Sequence, residues 1–402
     1  MSIIRDITLK AQNYLDRNEI LLFIGARQAG KTTILRQLQA SIEKRGEPSF
    51  FMNLDDPDYL SLLNASPKNI FRIFPIDLKK RTVVFLDEIQ YLSDPSRFLK
   101  YIYDEYRGKI KLIVSGSSAF YIDKKFKDSL SGRKIIFYVW TLSFREFLRF
   151  KGEDKLSERD WKTPALSEAE ILARNYNEYI LYGGYPEVAL SPMEEKKEIL
   201  REIAYSYIKK DIYESRIKKE ELFYKLFKIL AAQTGNLVNS SELAATIGVS
   251  KTAIEHYLYV MRKSFHLHLL PPFFKNIRKE LTKMPKVYFF DLGLRNFFTG
   301  NFTPYAVRGD DQGRLLENAV FCQLFRSYEI EEIKFWRTIQ GNEVDFLVGE
   351  RQAFEVKAQP KKFQEKKYKV FFENYPSVNL RIASLDVGAA AAAYPIIEVW
   401  QI

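Results

Sequence analysis

Eight residues constrain this chain more than any others: Gly25-Ala26-Arg27-Gln28-Ala29-Gly30-Lys31-Thr32, set between an apolar run and the helix-like Thr33-Ile34-Leu35. This is the P-loop spacing. Its glycines let the backbone bend around a phosphate, and the helix that follows aims its free amides at that phosphate. Gly25, Ala26, Arg27, Gln28, Ala29, Gly30, Lys31, Thr32 and Thr33 are the expected ATP cradle, with Lys31 on the β and γ phosphates and the Thr32 hydroxyl on Mg2+.

A P-loop brings no carboxylate of its own, so an acid is expected at the end of a neighbouring strand. Thr82-Val83-Val84-Phe85-Leu86-Asp87-Glu88 supplies two. Asp87 is expected to hold Mg2+ through water and Glu88 to polarise the attacking water, the alternative being an acid pair that merely caps a helix. The next apolar run ends in Ser115-Gly116-Ser117-Ser118, where Ser115, or second Ser117, sits to sense the γ phosphate unless it only makes a strand-end turn. Arg133, after Ser131-Gly132, is either an arginine that reaches a neighbouring subunit's γ phosphate, in a homo-oligomer, or an ordinary surface arginine.

Five apolar runs alternate with helix-length segments over the first 140 residues or so: 20–24, 50–54, 82–86, 111–114 and 135–139. That alternation predicts an α/β fold whose parallel sheet is covered on both faces. From residue 143 the pattern turns helical, with a polar surface excursion at 151–164 and long helices to about residue 221.

The 402 residues suffice for roughly two to four domains. No apolar stretch reaches the 18 or so residues of a membrane span, and the start has no signal-peptide pattern, so no membrane partner and a cytoplasmic location are expected. The single cysteine, Cys322, excludes an internal disulfide and is expected in the core. A formal net charge of +11 favours an anionic partner. The alanine run at 389–393 is the one low-complexity tract.

The segments Gly25 to Thr33, Phe51-Met52-Asn53-Leu54-Asp55-Asp56, Val84 to Gln90, Ser115 to Ser118, Leu130 to Arg133 and Gly183-Gly184-Tyr185-Pro186 together resemble the prokaryotic AAA-type ATPases that carry an uncharacterised C-terminal domain. The resemblance implies an AAA-type P-loop core with sheet order 5-1-4-3-2, and a helical lid containing the Gly-Gly-Tyr-Pro turn.

Residues 222–274 have the pattern of a winged helix. Leu222, Leu226 and Leu230 space a first helix, a capping serine of Ser240-Ser241 opens a second, and Ile247-Gly248-Val249-Ser250 turns into a third. In the third helix Ile254, Leu258 and Met261 are expected inward. Lys251, Thr252, Glu255, Tyr259 and Arg262 are expected outward, facing DNA or simply solvent. His266 and His268, two apart, are read as sharing one sheet face rather than binding metal.

Further on, Glu317 in a helix, Asp345 in one strand, and Glu355 and Lys357 in the next follow an order similar to the PD-(D/E)XK nuclease core. Residues two apart share a strand face, and a hairpin brings Asp345 beside them. Asp345 and Glu355 are the expected Mg2+ ligands, helped by the Val356 carbonyl, with Lys357 orienting water; a solvent-facing salt bridge is the alternative.

The sequence therefore predicts an AAA-type ATPase core at 1–142, a helical lid and linker at 143–221, a winged helix at 222–284 and an α/β nuclease-like domain at 285–402. It uses ATP and Mg2+ and acts on nucleic acid, DNA before RNA. The alternative is a nucleotide-controlled switch or protein-remodelling ATPase with an inactive nuclease-like domain.

Overall fold

The five apolar runs become strands of one parallel sheet: β1 Ile20–Gly25, β2 Ser49–Asn53, β3 Thr82–Asp87, β4 Ile110–Gly116 and β5 Lys134–Val139. The computed structural model describes residues 3–117, 130–274, 280, 283–386 and 394–402; Ser118 and the alanine run at 389–393 lie outside them. The sheet order is β2-β3-β4-β1-β5, the expected order read from the other edge. Every residue of β1, β3 and β4 is buried, whereas β2 and β5 are half-buried. The expectation that all five are covered on both faces thus fails at the two edges, where a strand has one neighbour and its margin keeps contact with water. Lys111 of β4 is charged yet fully buried, and its Nζ donates to the carbonyls of Tyr14, Arg17 and Glu19 at 3.1, 2.8 and 2.5 Å. Its ammonium is tolerated there because each N–H has an acceptor.

The order places the carboxyl ends of β1, β4 and β3 side by side. In open α/β sheets that edge is where ligands bind. Helix α1 Lys31–Lys44 follows β1, and helix α2 Pro95–Glu105 follows β3.

The chain divides into two compact units, residues 1–141 with 263–265, and residues 142–262 with 266–402. The second begins with helix α3 Phe144–Phe150, whose Ser143 and Glu146 form a reciprocal capping box. Segment 151–164 is largely exposed, as expected of a surface excursion, but is not all loop. It contains a short helix, Asp154–Ser157, and Trp161 is buried with its indole N–H on the Leu156 carbonyl, under the Arg145 guanidinium. One large aromatic side chain anchors an otherwise polar segment.

Helix α4 Leu166–Tyr182 ends at Gly183, which has φ +77°, and a Cβ there would lie 2.2 Å from Asp291 Oδ1. Asp291 accepts the Gly184 amide at 2.8 Å and caps helix α8 through the Leu294 amide at 3.0 Å. Between these lie α5 Glu220–Ala232, α6 Ser240–Ile247 and α7 Lys251–Lys263, with α8 at Leu292–Thr299. The cap of α6 is Asn239, which accepts from the Ser241 and Glu242 amides, and not the expected serine. The Asn side-chain carbonyl, one residue upstream, satisfies the free amides of the first turn.

Strands β6 Leu267–Leu270 and β7 Lys286–Phe289 pair antiparallel, so the expected boundary at 284/285 separates two strands of one ladder. Helix α9 Gln312–Ser327 follows and carries Cys322 as a buried free thiol, pushed up to about 12 by desolvation. The last sheet has the order β12-β11-β10-β9-β8. It contains β8 Ile333–Arg337, β9 Glu343–Val348, β10 Gln352–Val356, β11 Asn379–Ser384 and β12 Ile396–Glu398. β9 runs antiparallel to both neighbours, while β10, β11 and β12 are parallel.

Candidate nucleotide site and carboxylate cluster

Gly25 closes β1 where any side chain would collide with β5: a Cβ there would stand 1.9 Å from the Val139 carbonyl oxygen. Gly30, at φ +94°, turns the loop into α1. Lys31 opens that helix nearly buried, its Nζ donating to the Gly25 and Ala26 carbonyls at 3.0 and 2.8 Å. The loop's own carbonyls thus hold the ammonium where phosphate oxygens would otherwise accept it.

Thr32 Oγ1 donates to Asp87 Oδ2 at 2.5 Å, and the other Asp87 oxygen takes the Ser115 hydroxyl. Ser115 Oγ in turn accepts the Glu88 amide at 3.1 Å. One hydroxyl in the central strand therefore fixes both acids that end β3. Ser115 is the serine so placed. Ser117 contacts a residue that the sequence did not single out: Gln90, buried, whose Nε2 donates to Ser117 Oγ at 2.8 Å and also to the Glu88 carboxylate. Glu88 adopts φ +58°, a left-handed backbone that costs an L residue on the order of 1 kcal/mol. Such strain is retained where the surroundings over-determine it, here by Ser115 on the backbone and Gln90 on the side chain. Thr32 and Asp87 suit a hard cation in chemistry and position.

Arg133 is half-exposed and forms a forked pair with Asp104 of α2 within its own chain, at 2.7 and 3.3 Å. That hydrogen bond holds the Asp104 carboxyl below its ordinary range.

In the second unit the outward set of α7, Lys251, Thr252, Glu255, Tyr259 and Arg262, is exposed, and Ile254, Leu258 and Met261 are buried. Lys251 lies 3.6 Å from Glu255. His266 is buried and bound to Asp211 at 2.8 Å, and His268 stacks on Phe321.

Glu317, Asp345, Glu355 and Lys357 gather at the start of α9 and the ends of β9 and β10. Asp345 Oδ2 accepts the Val356 amide at 2.8 Å, and Lys357 pairs with Glu355. Glu317 and Asp345 are joined through a lysine that the sequence reading passed over, Lys286 of β7, at 3.0 and 3.8 Å; Glu343 takes the same ammonium at 2.6 Å. Burial raises Glu317 to about 7 and Glu355 to about 8, and the nearby Asp345 carboxylate adds to the shift while Lys286 and Lys357 oppose it. Glu355 Oε2 is buried with no hydrogen-bond partner. Asp345 is bonded to the Val356 amide, where the sequence reading had the Val356 carbonyl beside it as a metal ligand. Among the described residues no group of three or more His, Cys, Asp or Glu is arranged to hold a metal ion. Asp345 and Glu355, the latter with its unpartnered oxygen, are the carboxylates that would be available to a cation there.

Residues 17–148 match the family model described as an AAA domain. The first unit is an AAA-type P-loop core. Beyond this AAA-type core, residues 173–305 and 312–396 match two domains of unknown function, DUF8612 and DUF4143. An uncharacterized protein of Methanocaldococcus jannaschii is 29% identical over 356 residues, 86% of this chain and 74% of that protein. One of Haemophilus influenzae is 25% identical over 366 residues, 87% and 85% of the two chains. Among solved structures, the Aeropyrum pernix ORC1 protein in complex with DNA aligns at TM-score 0.34 and 13% identity, over 75% of this chain and 93% of that one. AMPPCP-bound DnaA from Aquifex aeolicus aligns at 0.30 and 17%, over 64% and 86%. The AAA-type assignment rests on sheet order and the P-loop match rather than on these alignments. No helix among the described residues is long and apolar enough to cross a membrane.

Proposed function

We propose that this chain binds and hydrolyses ATP in its first unit and acts on nucleic acid, DNA before RNA, through its second. One observation carries the ATPase reading: the bonded series Thr32, Asp87, Ser115, Glu88 and Gln90, which ties the P-loop helix to the end of the acid-bearing strand. On ATP binding Lys31 leaves its two carbonyls for the phosphates, while the loop amides and the N-terminus of α1 receive their charge. Thr32 and Asp87 would hold Mg2+, which when bound would spread the phosphate charge. Glu88 orients the attacking water once it lets go of Gln90, and Arg133 must first leave Asp104 if it is to serve a neighbouring subunit's phosphate in a homo-oligomer.

We read residues 143–221 as a helical lid and linker, 222–289 as a winged helix that includes β7, and the remainder as a nuclease-like domain. The exposed face of α7 and the net positive charge support a nucleic-acid partner. Asp345 and Glu355 are the residues that would hold Mg2+ there, with Lys357 beside them. A second reading, a nucleotide-controlled switch with an inactive nuclease-like domain, is favoured by the ammoniums that already balance much of this cluster.

The decisive experiment measures ATP turnover with and without duplex, branched and single-stranded DNA. Lys31→Ala should lose nucleotide binding, and Glu88→Gln should bind ATP yet turn it over about 100-fold more slowly. Undiminished turnover by Glu88→Gln ends the role given to Glu88. DNA that leaves the rate unchanged and cleavage absent moves the chain to the switch reading.

A further inference from the structure

A lysine buried in a strand next to three acids needs a reason, since an ammonium taken out of water is costly unless it is fully paired. The Lys286 side chain is 3% exposed, and its Nζ lies 3.0 Å from Glu317 Oε1, 2.6 Å from Glu343 Oε1 and 3.8 Å from Asp345 Oδ1. Tyr288, two residues on and therefore on the same face of β7, donates to Glu317 Oε1 at 2.5 Å. At the outer rim Arg337 holds the second Glu343 oxygen at 3.0 Å. Across the cluster Glu355 pairs with Lys357 through Oε1 and leaves Oε2 buried and unpartnered.

We propose that Lys286 is a built-in cation of this site, its ammonium filling the corner framed by Glu317, Glu343 and Asp345 so that no divalent ion enters there. A small divalent ion needs oxygens at roughly 2.0–2.2 Å, and an ammonium at hydrogen-bond distance from Glu317 and Glu343, with Asp345 just beyond, occupies the volume it would take. Charge points the same way. Four carboxylates face the buried Lys286 ammonium, the half-buried Lys357 ammonium and the Arg337 guanidinium at the rim, so little negative charge is left to draw a divalent ion into the corner that Lys286 fills. This assignment rests on the nuclease-like reading for what it means chemically, but its test does not. Because Lys286 belongs to β7, the charge balance of the cluster depends on the β6 and β7 ladder as well as on the sheet that carries the acids.

The test is Mn2+ uptake by the full-length chain without nucleotide, read by electron paramagnetic resonance, together with melting temperature. Lys286→Met should take up a further Mn2+ ion per chain compared with the parent, and its lowered melting temperature should recover when Mn2+ is added. Equal Mn2+ counts in two folded proteins overturn the proposal. Glu317→Gln, which keeps shape and ammonium, gives an answer even if Lys286→Met does not fold. It should keep the parent's Mn2+ count, and a lower count overturns the proposal by showing that Glu317 ligates the metal. A parent that takes up no Mn2+ and cuts no DNA removes the nuclease reading alone, because the effect of Lys286 is read as a difference between two proteins.

Discussion

The Thr32 hydroxyl and the Asp87 carboxylate, 55 residues apart in sequence, stand 2.5 Å apart, and Ser115 closes the other side of the same carboxylate. Ser115 lies in the strand between the two, so removing its hydroxyl frees Asp87 and Glu88 together. Ser115→Ala should lower ATP turnover about 10-fold or more, and leave a buried carboxylate short of a donor at a cost of about 1–3 kcal/mol. Turnover and urea midpoints both equal to the parent's would show that the hydroxyl is dispensable.

Gln90 holds the side chain of Glu88 while Ser115 holds its backbone. Replacing Gln90 by Leu keeps the volume and removes the tether. Turnover should change while ATP affinity stays within about twofold, because the tether removed is the one on Glu88, which acts on the attacking water. A large loss of ATP affinity with turnover intact would contradict this.

Gly183 and Gly300 both have positive φ, +77° and +67°, yet a Cβ at Gly183 meets Asp291 at 2.2 Å while nothing lies within 4 Å at Gly300. The Gly300 variant bears a left-handed backbone cost of about 1 kcal/mol, and the Gly183 variant, at ψ −167° in a region that essentially only glycine adopts, about 1–3 kcal/mol. Gly183→Ala should lose at least about 2 kcal/mol more in denaturant unfolding, since it displaces the carboxylate that caps α8. Equal losses would mean that Asp291 can move aside.

His268 is held well below its ordinary value, to about 3, first by burial and then by the Arg262 charge. A group depressed in the folded state favours folding above its unfolded value and loses that contribution as pH falls toward the folded value. Between pH 6.5 and about 4.5 the unfolded chain takes up a proton that the folded chain refuses. His268→Phe, which keeps the stack on Phe321, should therefore flatten the loss of stability over that window by about 1–2 kcal/mol. Superimposable pH profiles of parent and variant would refute it.

The sheet of the first unit was legible in the sequence because buried parallel strands read as continuous apolar runs, and the phosphate loop because its spacing is set by the phosphate. Asp87 and Glu88 followed from their place at a strand end. Gln90 and Lys286 were not legible. Each is one polar residue whose meaning depends on a partner brought close only by folding: Ser117 lies 27 residues from Gln90, and Glu317 lies 31 from Lys286. The signal for Lys286 was nonetheless present. A lysine opening the apolar Lys286-Val287-Tyr288-Phe289 is the same anomaly that pointed to Glu355 and Lys357. Trp161 escaped because the polar residues around it hide a single aromatic anchor, and Asn239 because a cap one residue earlier leaves the same serines in the first turn.

Lys286 falls within the segment 173–305 and Glu317, Glu343 and Asp345 within 312–396, two segments that match separate families. A fragment ending near residue 305 would keep a lysine made to be buried and lose all three of its acidic partners. A fragment starting near 312 would keep the acids with their counter-charge gone. The two segments thus share one charged corner, and neither half, expressed alone, would reproduce its chemistry.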